Sequence, residues 1–300
     1  VARIEFFYFV LLENSTLYKY RVFLSKEGDL PLKNKGILFT LLLSIVLALA
    51  ACGTSSEKAN GDGEGKKKLR VVTDAAYAPF EYMDKDKIIG FDVDVFTAAA
   101  EEAGYEFEIV NVGWDPVFAE LENGTADVGL SAITINDDRL KSYDFSIPYF
   151  ESTNKILAPE GTDIEKAADL VDKTVAVQAG TTGADAVDAL LGNANEKVKK
   201  FENNNLAILE MKNKGADAVV ADNAVLETYA KDNPQDNFTV IEDKEGFESE
   251  FYGFMFPKDS EIVDDLSKGL NAILDNGKYA EIYKEWFGQD PDIENLKAQQ

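Results

Sequence analysis

The chain has 300 residues, with 30 Lys and Arg against 55 Asp and Glu, no histidine and a single cysteine. The formal net charge of −25 argues against nucleic acid as a partner, because neutralising phosphates takes clustered Lys and Arg. Without histidine, Ser–His–Asp and Cys–His nucleophile systems are ruled out; one cysteine permits neither an intrachain disulfide nor a cysteine metal cluster. No cofactor and no metal site is expected, and the length suits one large domain or two of ordinary size.

In chain order, the first feature is Ile37–Ala51, the only long apolar run, preceded by Lys33 and Lys35 and closed by small residues. It is short for a membrane span and has the layout of a secretory signal. Its ending, Leu49-Ala50-Ala51-Cys52, resembles the lipobox of bacterial lipoproteins. That resemblance implies a signal peptide over residues 32–51, cleavage before Cys52 and acylation of that cysteine. Two or three acyl chains, palmitate among them, would give an anchoring that one chain does not. Residues 1–31 fit no secretion pattern. Val1 is what a GTG start codon read literally would give, and Leu32, if encoded by TTG, would begin a compact signal. Residues 1–31 are therefore read as leader sequence outside the real protein. Residues 52–67, rich in Gly, Ser, Glu and Lys, read as a disordered tether.

From Lys68 onward strand-like and helix-like segments alternate. Leu69–Thr73 reads as a buried strand, Phe91–Ala103 as a helix stopped by Gly104, Glu106–Val112 as a strand and Asp115–Glu122 as a helix with Pro116 in its first turn. Asp127–Ile133 follows as a strand. The order then repeats: strand Thr174–Gln178, helix Ala184–Leu191, strand Lys197–Phe201, helix Asn205–Lys214, strand Ala216–Ala221, helix Ala224–Asp232. This alternation predicts α/β lobes with largely parallel sheets. Leu121-Glu-Asn-Gly-Thr-Ala-Asp-Val echoes Met211-Lys-Asn-Lys-Gly-Ala-Asp-Ala-Val, each a helix end feeding a strand. Two lobes of similar topology leave a cleft, where ligands favour the carboxyl ends of strands. The charged tail Asp290–Gln300 reads as a frayed terminus.

Three groups near strand ends have complementary chemistry. Arg139, just past a strand, can grip a carboxylate with two parallel hydrogen bonds. Gly180-Thr181-Thr182-Gly183 joins a strand to a helix, where free backbone N–H groups favour anions; it lacks the Gly-Lys-Ser/Thr ending of a Walker loop. Asp222 ends a strand and suits an ammonium group. Together they describe a receptor for the zwitterionic head of an α-amino acid. An arginine paired with Asp137 or Asp138 is the plainer alternative for Arg139. Tyr77, Phe80 and Trp114 are core residues or, placed beyond strand ends, a sandwich for a flat or cationic side chain. Asp74 is placed to pair with a basic tip.

These residues lie in longer motifs: Val72-Thr-Asp-Ala-Ala-Tyr-Ala-Pro-Phe-Glu-Tyr, Ile89-Gly-Phe-Asp-Val-Asp, Ala132-Ile-Thr-Ile-Asn-Asp-Asp-Arg, Tyr143-Asp-Phe-Ser-Ile-Pro-Tyr and Tyr279-Ala-Glu-Ile-Tyr-Lys-Glu-Trp-Phe-Gly. From about Leu69 to Gly288 the chain resembles family 3 solute-binding proteins, the polar amino acid receptors of ABC importers. Asn111-Val-Gly-Trp-Asp-Pro-Val-Phe and Gln178-Ala-Gly-Thr-Thr-Gly are most similar to the arginine/lysine/histidine receptors of Gram-positive bacteria. The resemblance implies an α/β, two-lobed type II periplasmic binding protein fold with a hinge and interlobe cleft. It puts lobe 1 at 68–151 plus 250–289, lobe 2 at 152–249, a tail at 290–300, and interlobe strands near Phe150–Asn154 and Glu248–Gly253. It implies that Arg139, Thr134 and the Thr182 N–H hold the α-carboxylate, and that Asp222 and the Ala132 carbonyl hold the α-ammonium. Tyr77 and Trp114 flank the side chain, and Asp74 and Gln178 read its end. Asn136 and Ala132 stand where the family often has Thr and Gly or Ser.

The function expected is non-catalytic capture of a basic amino acid at the extracellular face of a Gram-positive membrane, by a lipid-anchored monomer that delivers it to permease subunits. Glutamine or another polar amino acid is the alternative ligand. A cyclohexadienyl dehydratase-like enzyme is a distant alternative, as is a sensor or adhesin on the same fold.

Overall fold

The computed structural model describes Phe7–Val10, Tyr18–Arg21 and residues 68–300. Within residues 1–63, β1 (Phe7–Val10) pairs antiparallel with β2 (Tyr18–Arg21), Phe7 opposite Arg21. Apart from these two strands, the expectations for the leader, the signal peptide, Cys52 and the tether lie outside the described residues.

Residues 64–300 form a separate unit built on two larger sheets. The first begins with β3 (Leu69–Thr73), in which Leu69, Val71, Val72 and Thr73 are all buried. Burial of three successive residues, Val71 to Thr73, means that both faces of the strand are covered there. A small antiparallel sheet of β4 (Ala76–Tyr77), β5 (Glu81–Asp84) and β6 (Lys87–Ile89) leads into α1 (Phe91–Ala103). Gly90 makes that junction possible: its φ is +146°, and a Cβ there would lie 1.9 Å from the Phe80 carbonyl oxygen. Gly104, in the left-handed region, ends α1 by donating its N–H to the Ala100 and Glu101 carbonyls. β7 (Phe107–Asn111), α2 (Trp114–Glu122), β8 (Val128–Gly129) and β9 (Tyr143–Phe145) follow.

The chain then leaves along β10 (Phe150–Pro159), ten residues that serve two places. The second sheet adds β11 (Val175–Gln178), α3 (Thr182–Leu191), β12 (Val198–Phe201), α4 (Asn204–Lys212), β13 (Ala218–Asp222), α5 (Asn223–Asp232) and β14 (Phe238–Ile241). Its order is β12-β11-β13-β10-β14. The return passage, β15 (Ser249–Tyr252), pairs antiparallel with the start of β10, Phe150 opposite Tyr252. β16 (Met255–Pro257) then inserts between β8 and β9, completing the first sheet as β7-β3-β8-β16-β9. Helices α6 (Val263–Asn276), α7 (Lys278–Phe287) and α8 (Ile293–Ala298) close the chain. The result is the two-lobed α/β fold, with two chain passages between the lobes.

The internal echo has a structural counterpart. Asp127 accepts the Arg70 N–H at 2.8 Å, and Asp217 accepts the Thr174 N–H at 2.7 Å, each tying the start of a new strand to an earlier parallel strand of its lobe. The turns before them use positive φ at Gly124 (66°) and Lys214 (62°).

Three expectations change. The strand read over Asp127–Ile133 keeps only Val128–Gly129, because the chain turns out of the sheet and Ala132 takes φ +46°. The sheets are mixed rather than largely parallel. Parallel pairing joins β3 to β7 and β8, and β11 to β12 and β13, while β10 and β16, which enter from the far side of a crossing, pair antiparallel. The tail is no frayed end: Asp292 caps α8, Leu296 is buried, and Asn295 donates to Glu151 at 2.6 Å. The crossing strands sit on an aromatic cluster in lobe 1, where Phe80 meets Phe150 and Tyr252 edge-on at 4.9 and 5.3 Å.

Candidate functional site

One cavity lies between the lobes, lined by residues that the strands and turns of both deliver. From lobe 1 come Asp74 and Tyr77 after β3, Trp114 at the start of α2, and Ser131, Ala132, Thr134 and Arg139 from the segment beyond β8. From lobe 2 come Gln178 at the end of β11, Thr181 and Thr182 at the start of α3, and Asp222 at the end of β13. All nine ligand-contact residues named from sequence, Asp74, Tyr77, Trp114, Ala132, Thr134, Arg139, Gln178, Thr182 and Asp222, are among them. They gather at the carboxyl ends of parallel strands, where open α/β sheets place ligands.

Arg139 is half-buried and positioned by its own turn. Its guanidinium donates to the Thr134 carbonyl at 2.8 Å, and its backbone N–H goes to the Asn136 side chain at 2.9 Å. The guanidinium lies 5.6 Å from the Trp114 ring centre and 5.4 Å from that of Phe118, within cation–π range. Asp138 is taken by Lys141 at 2.5 Å, and Arg139 has no ion-pair partner among the described residues. Burial lowers its pKa, with Glu250, Asp185 and Asp222 opposing that shift. A half-buried cation without a carboxylate partner favours an anionic group in the cavity. Beside it, Thr181 caps α3 by accepting the Ala184 N–H at 3.2 Å. The first-turn N–H groups, Thr182 included, have no partner inside the helix. Gly180 permits the approach: at φ +71°, a Cβ on it would lie 3.2 Å from Trp114 Nε1.

Across the cavity Asp222, 7% exposed, accepts hydrogen bonds from Tyr77 at 2.6 Å and Tyr252 at 2.5 Å. Burial first, and the charge of Glu250 second, raise its pKa to about 6. Asp74, 8% exposed, accepts from Gln178 Nε2 at 3.2 Å, and burial raises its pKa as well. Gln178 Oε1 is buried without a hydrogen-bond partner. The far end of the cavity thus presents acceptors in excess of donors.

A second layer sets the backbone. Ser131 Oγ accepts the Asp74 N–H at 3.1 Å and donates to Glu81 at 2.8 Å. Asp92 accepts from the Ala132 N–H at 2.8 Å and from Tyr149 at 2.6 Å, and burial pushes its pKa to about 6. Sequence reasoning named Thr181 only within its Gly-rich turn and missed Ser131, Phe118, Tyr252 and Glu250. For the last two a signal existed: residues 250 and 252 alternate on a strand and so face the same way. Among the described residues no group of three or more His, Cys, Asp or Glu side chains is arranged to hold a metal ion.

The sequence profile of the bacterial extracellular solute-binding proteins, family 3, matches residues 69–289. A probable histidine-binding protein of Neisseria gonorrhoeae is 40% identical over 250 residues, covering 81% of this chain and 92% of that protein. The arginine-binding extracellular protein ArtP of Bacillus subtilis is 34% identical over 253 residues, covering 84% and 98%. Among solved structures, the arginine-, lysine-, histidine-binding protein ArtJ of Geobacillus stearothermophilus is similar with a TM-score of 0.76 and 50% identity, over 77% of this chain and 100% of that one.

Proposed function

The chain belongs to the bacterial extracellular solute-binding proteins of family 3, and from that premise we propose that it captures a basic amino acid for an ABC importer. The observation that carries the ligand class is the charge and acceptor balance of the cavity. Arg139 and Asp222 match the carboxylate and ammonium of an α-amino acid, and each neutralises one. Asp74 and the unpartnered Gln178 Oε1 then remain, both acceptors, one of them charged. A side chain ending in N–H donors with a positive charge satisfies both; a neutral one leaves a buried carboxylate uncompensated. Relatives whose names specify arginine, lysine or histidine support the same reading.

The mechanism is binding followed by closure. The amino acid's two charged head groups bridge lobe 1, through Arg139, and lobe 2, through Asp222 and the start of α3. The ligand thereby draws the lobes together about the β10–β15 passages. The closed receptor, a monomer, docks on the permease. We place the mature chain on the outer face of a Gram-positive cell membrane, anchored through acylated Cys52. Labelled palmitate incorporated by the wild type and lost in Cys52→Ala tests the anchor.

Calorimetric titration of residues 68–300 with arginine, lysine, histidine and glutamine tests the ligand. Binding of a basic amino acid at least tenfold tighter than glutamine is expected, and equal or tighter glutamine binding overturns the basic assignment. Arg139→Ala should weaken the preferred ligand at least about a hundredfold, as removing one partner of a buried charged pair does.

A further inference from the structure

Glu250 lies outside every motif named from sequence, yet its carboxylate reaches both lobes. Oε2 accepts from the Thr134 hydroxyl at 2.7 Å and from the Thr182 hydroxyl at 2.8 Å, while Oε1 accepts from Asn154 Nδ2 at 2.9 Å. Thr134 is in lobe 1, held to the return strand by its bridge to Tyr252 and by the Ile135 N–H on the Phe251 carbonyl at 2.8 Å. Thr182 opens α3 of lobe 2. Glu250 itself stands on β15, opposite Ser152 of β10. One carboxylate oxygen on an interlobe strand is therefore shared by a hydroxyl from each lobe.

We propose that Glu250 is a built-in interlobe clip and a charge selector for the bound amino acid, a role that rests on the amino acid-receptor reading above. A hydroxyl has one proton to give. With both threonine protons given to Glu250, the hydroxyl oxygens turn only lone pairs toward the cavity. The α-carboxylate is thereby steered away from them, the Thr134 hydroxyl expected from sequence to hold it included, and onto Arg139 and the N–H groups of α3. Separation of the lobes breaks the bond to Thr182, because Thr134 and Glu250 are fastened to the same strand and Thr182 is not. The clip thus favours the closed form independently of what occupies the cleft. Glu250 also adds its carboxylate to those of Asp74, Asp222 and Asp185 against the Arg139 cation. A zwitterion leaves that excess unchanged, whereas a cationic side chain reduces it. Glu250 is a positioning residue: it acts through Thr134, Thr182 and the field, not by touching the ligand's reactive groups.

The test compares wild type, Glu250→Ala, Glu250→Gln and Thr182→Val, each stripped of amino acid by unfolding and refolding. Small-angle X-ray scattering reads lobe separation, and calorimetry reads arginine and glutamine affinity. Glutamine at 250 keeps an amide oxygen able to accept both hydroxyls but loses the charge. Glu250→Ala and Thr182→Val should both give a larger radius of gyration without amino acid, and Glu250→Ala should bind arginine about tenfold more weakly, the scale of one lost charged hydrogen bond. Glu250→Gln should remain compact while its arginine-to-glutamine affinity ratio falls about three- to tenfold. An unchanged radius in both Glu250→Ala and Thr182→Val overturns the clip. An unchanged ratio in Glu250→Gln overturns the charge selection. If the wild type binds none of arginine, lysine, histidine and glutamine, the receptor reading fails, and the scattering comparison still decides the clip.

Discussion

Asp222 holds two tyrosine hydroxyls and is pushed to a pKa of about 6 by burial and by Glu250, which sets two opposite pH dependences. Its folded pKa lies above the ordinary 3.8, so its contribution to stability is fully present below 3.8 and is lost as pH rises through about 6. Ligand affinity runs the other way, because an ammonium group needs the ionised carboxylate. Calorimetry from pH 8 down to 4.5 should show affinity falling through pH 6 by about tenfold per unit. Asp222→Asn keeps an acceptor for the tyrosines and removes the buried charge. It should bind at least about a hundredfold more weakly while its thermal midpoint at pH 7.5 stays at or above the wild-type value. That these nine residues line one cavity was legible because each sits in a motif with a chemical type of its own: a guanidinium, a carboxylate, a Gly-rich turn. For Glu250 and Tyr252 the alternation shows a shared face but not what that face meets, because partners such as Thr182 and Asp222 lie 68 and 30 positions away in sequence.

At the scale of elements, periodicity and caps placed most boundaries within two residues: Leu69–Thr73 and Phe91–Ala103 coincide with β3 and α1. What local pattern could not carry was pairing between distant segments. Val128–Gly129 stops short because the Ala132 N–H and the Ser131 hydroxyl donate to Asp92 and Glu81, about 40 and 50 positions earlier, which hold them out of the sheet. The tail was misread although its signals were present: Asp292 as cap, and Ile293 with Leu296 at helical spacing. Leu296 joins the lobe 1 core and Asn295 bonds Glu151 beside the crossing strand. Deleting residues 290–300 should therefore lower unfolding free energy by roughly 2–3 kcal/mol, chiefly from the lost burial of Leu296, measured by urea denaturation. The arginine-to-glutamine preference should be unchanged, since no residue of α8 lines the cavity.

For the molecule as a whole, the charge of −25 bears on how the ligand arrives. A field of this sign draws cations toward the cleft and is screened by salt. Stopped-flow association of arginine should slow as ionic strength rises from about 0.02 to 0.5 M, a span over which the screening length shrinks severalfold, while that of glutamine changes little. Equal salt dependence for the two would show that the surface charge has no part in capture. Two lobes, their α/β class and the cleft were legible from the alternation of elements and the 121/211 echo. The mixed sheets were not, because a strand that enters from the other lobe has no sequence neighbour to betray its direction.

That entering strand, β16, also constrains the order of assembly. Lobe 2 is one uninterrupted stretch of chain, whereas the lobe 1 sheet has a gap between β8 and β9 until Met255–Pro257 arrives, more than a hundred residues after Tyr143–Phe145. Bonds such as Trp286 to Asp94 and Phe254 to Ser146 close loops of 192 and 108 residues. Loops of that length slow the formation of native contacts. In pulse-labelled hydrogen exchange during refolding, amides of β11 and β13 should gain protection before those of β3 and β8. A nascent chain lacking its last fifty residues should protect only the former.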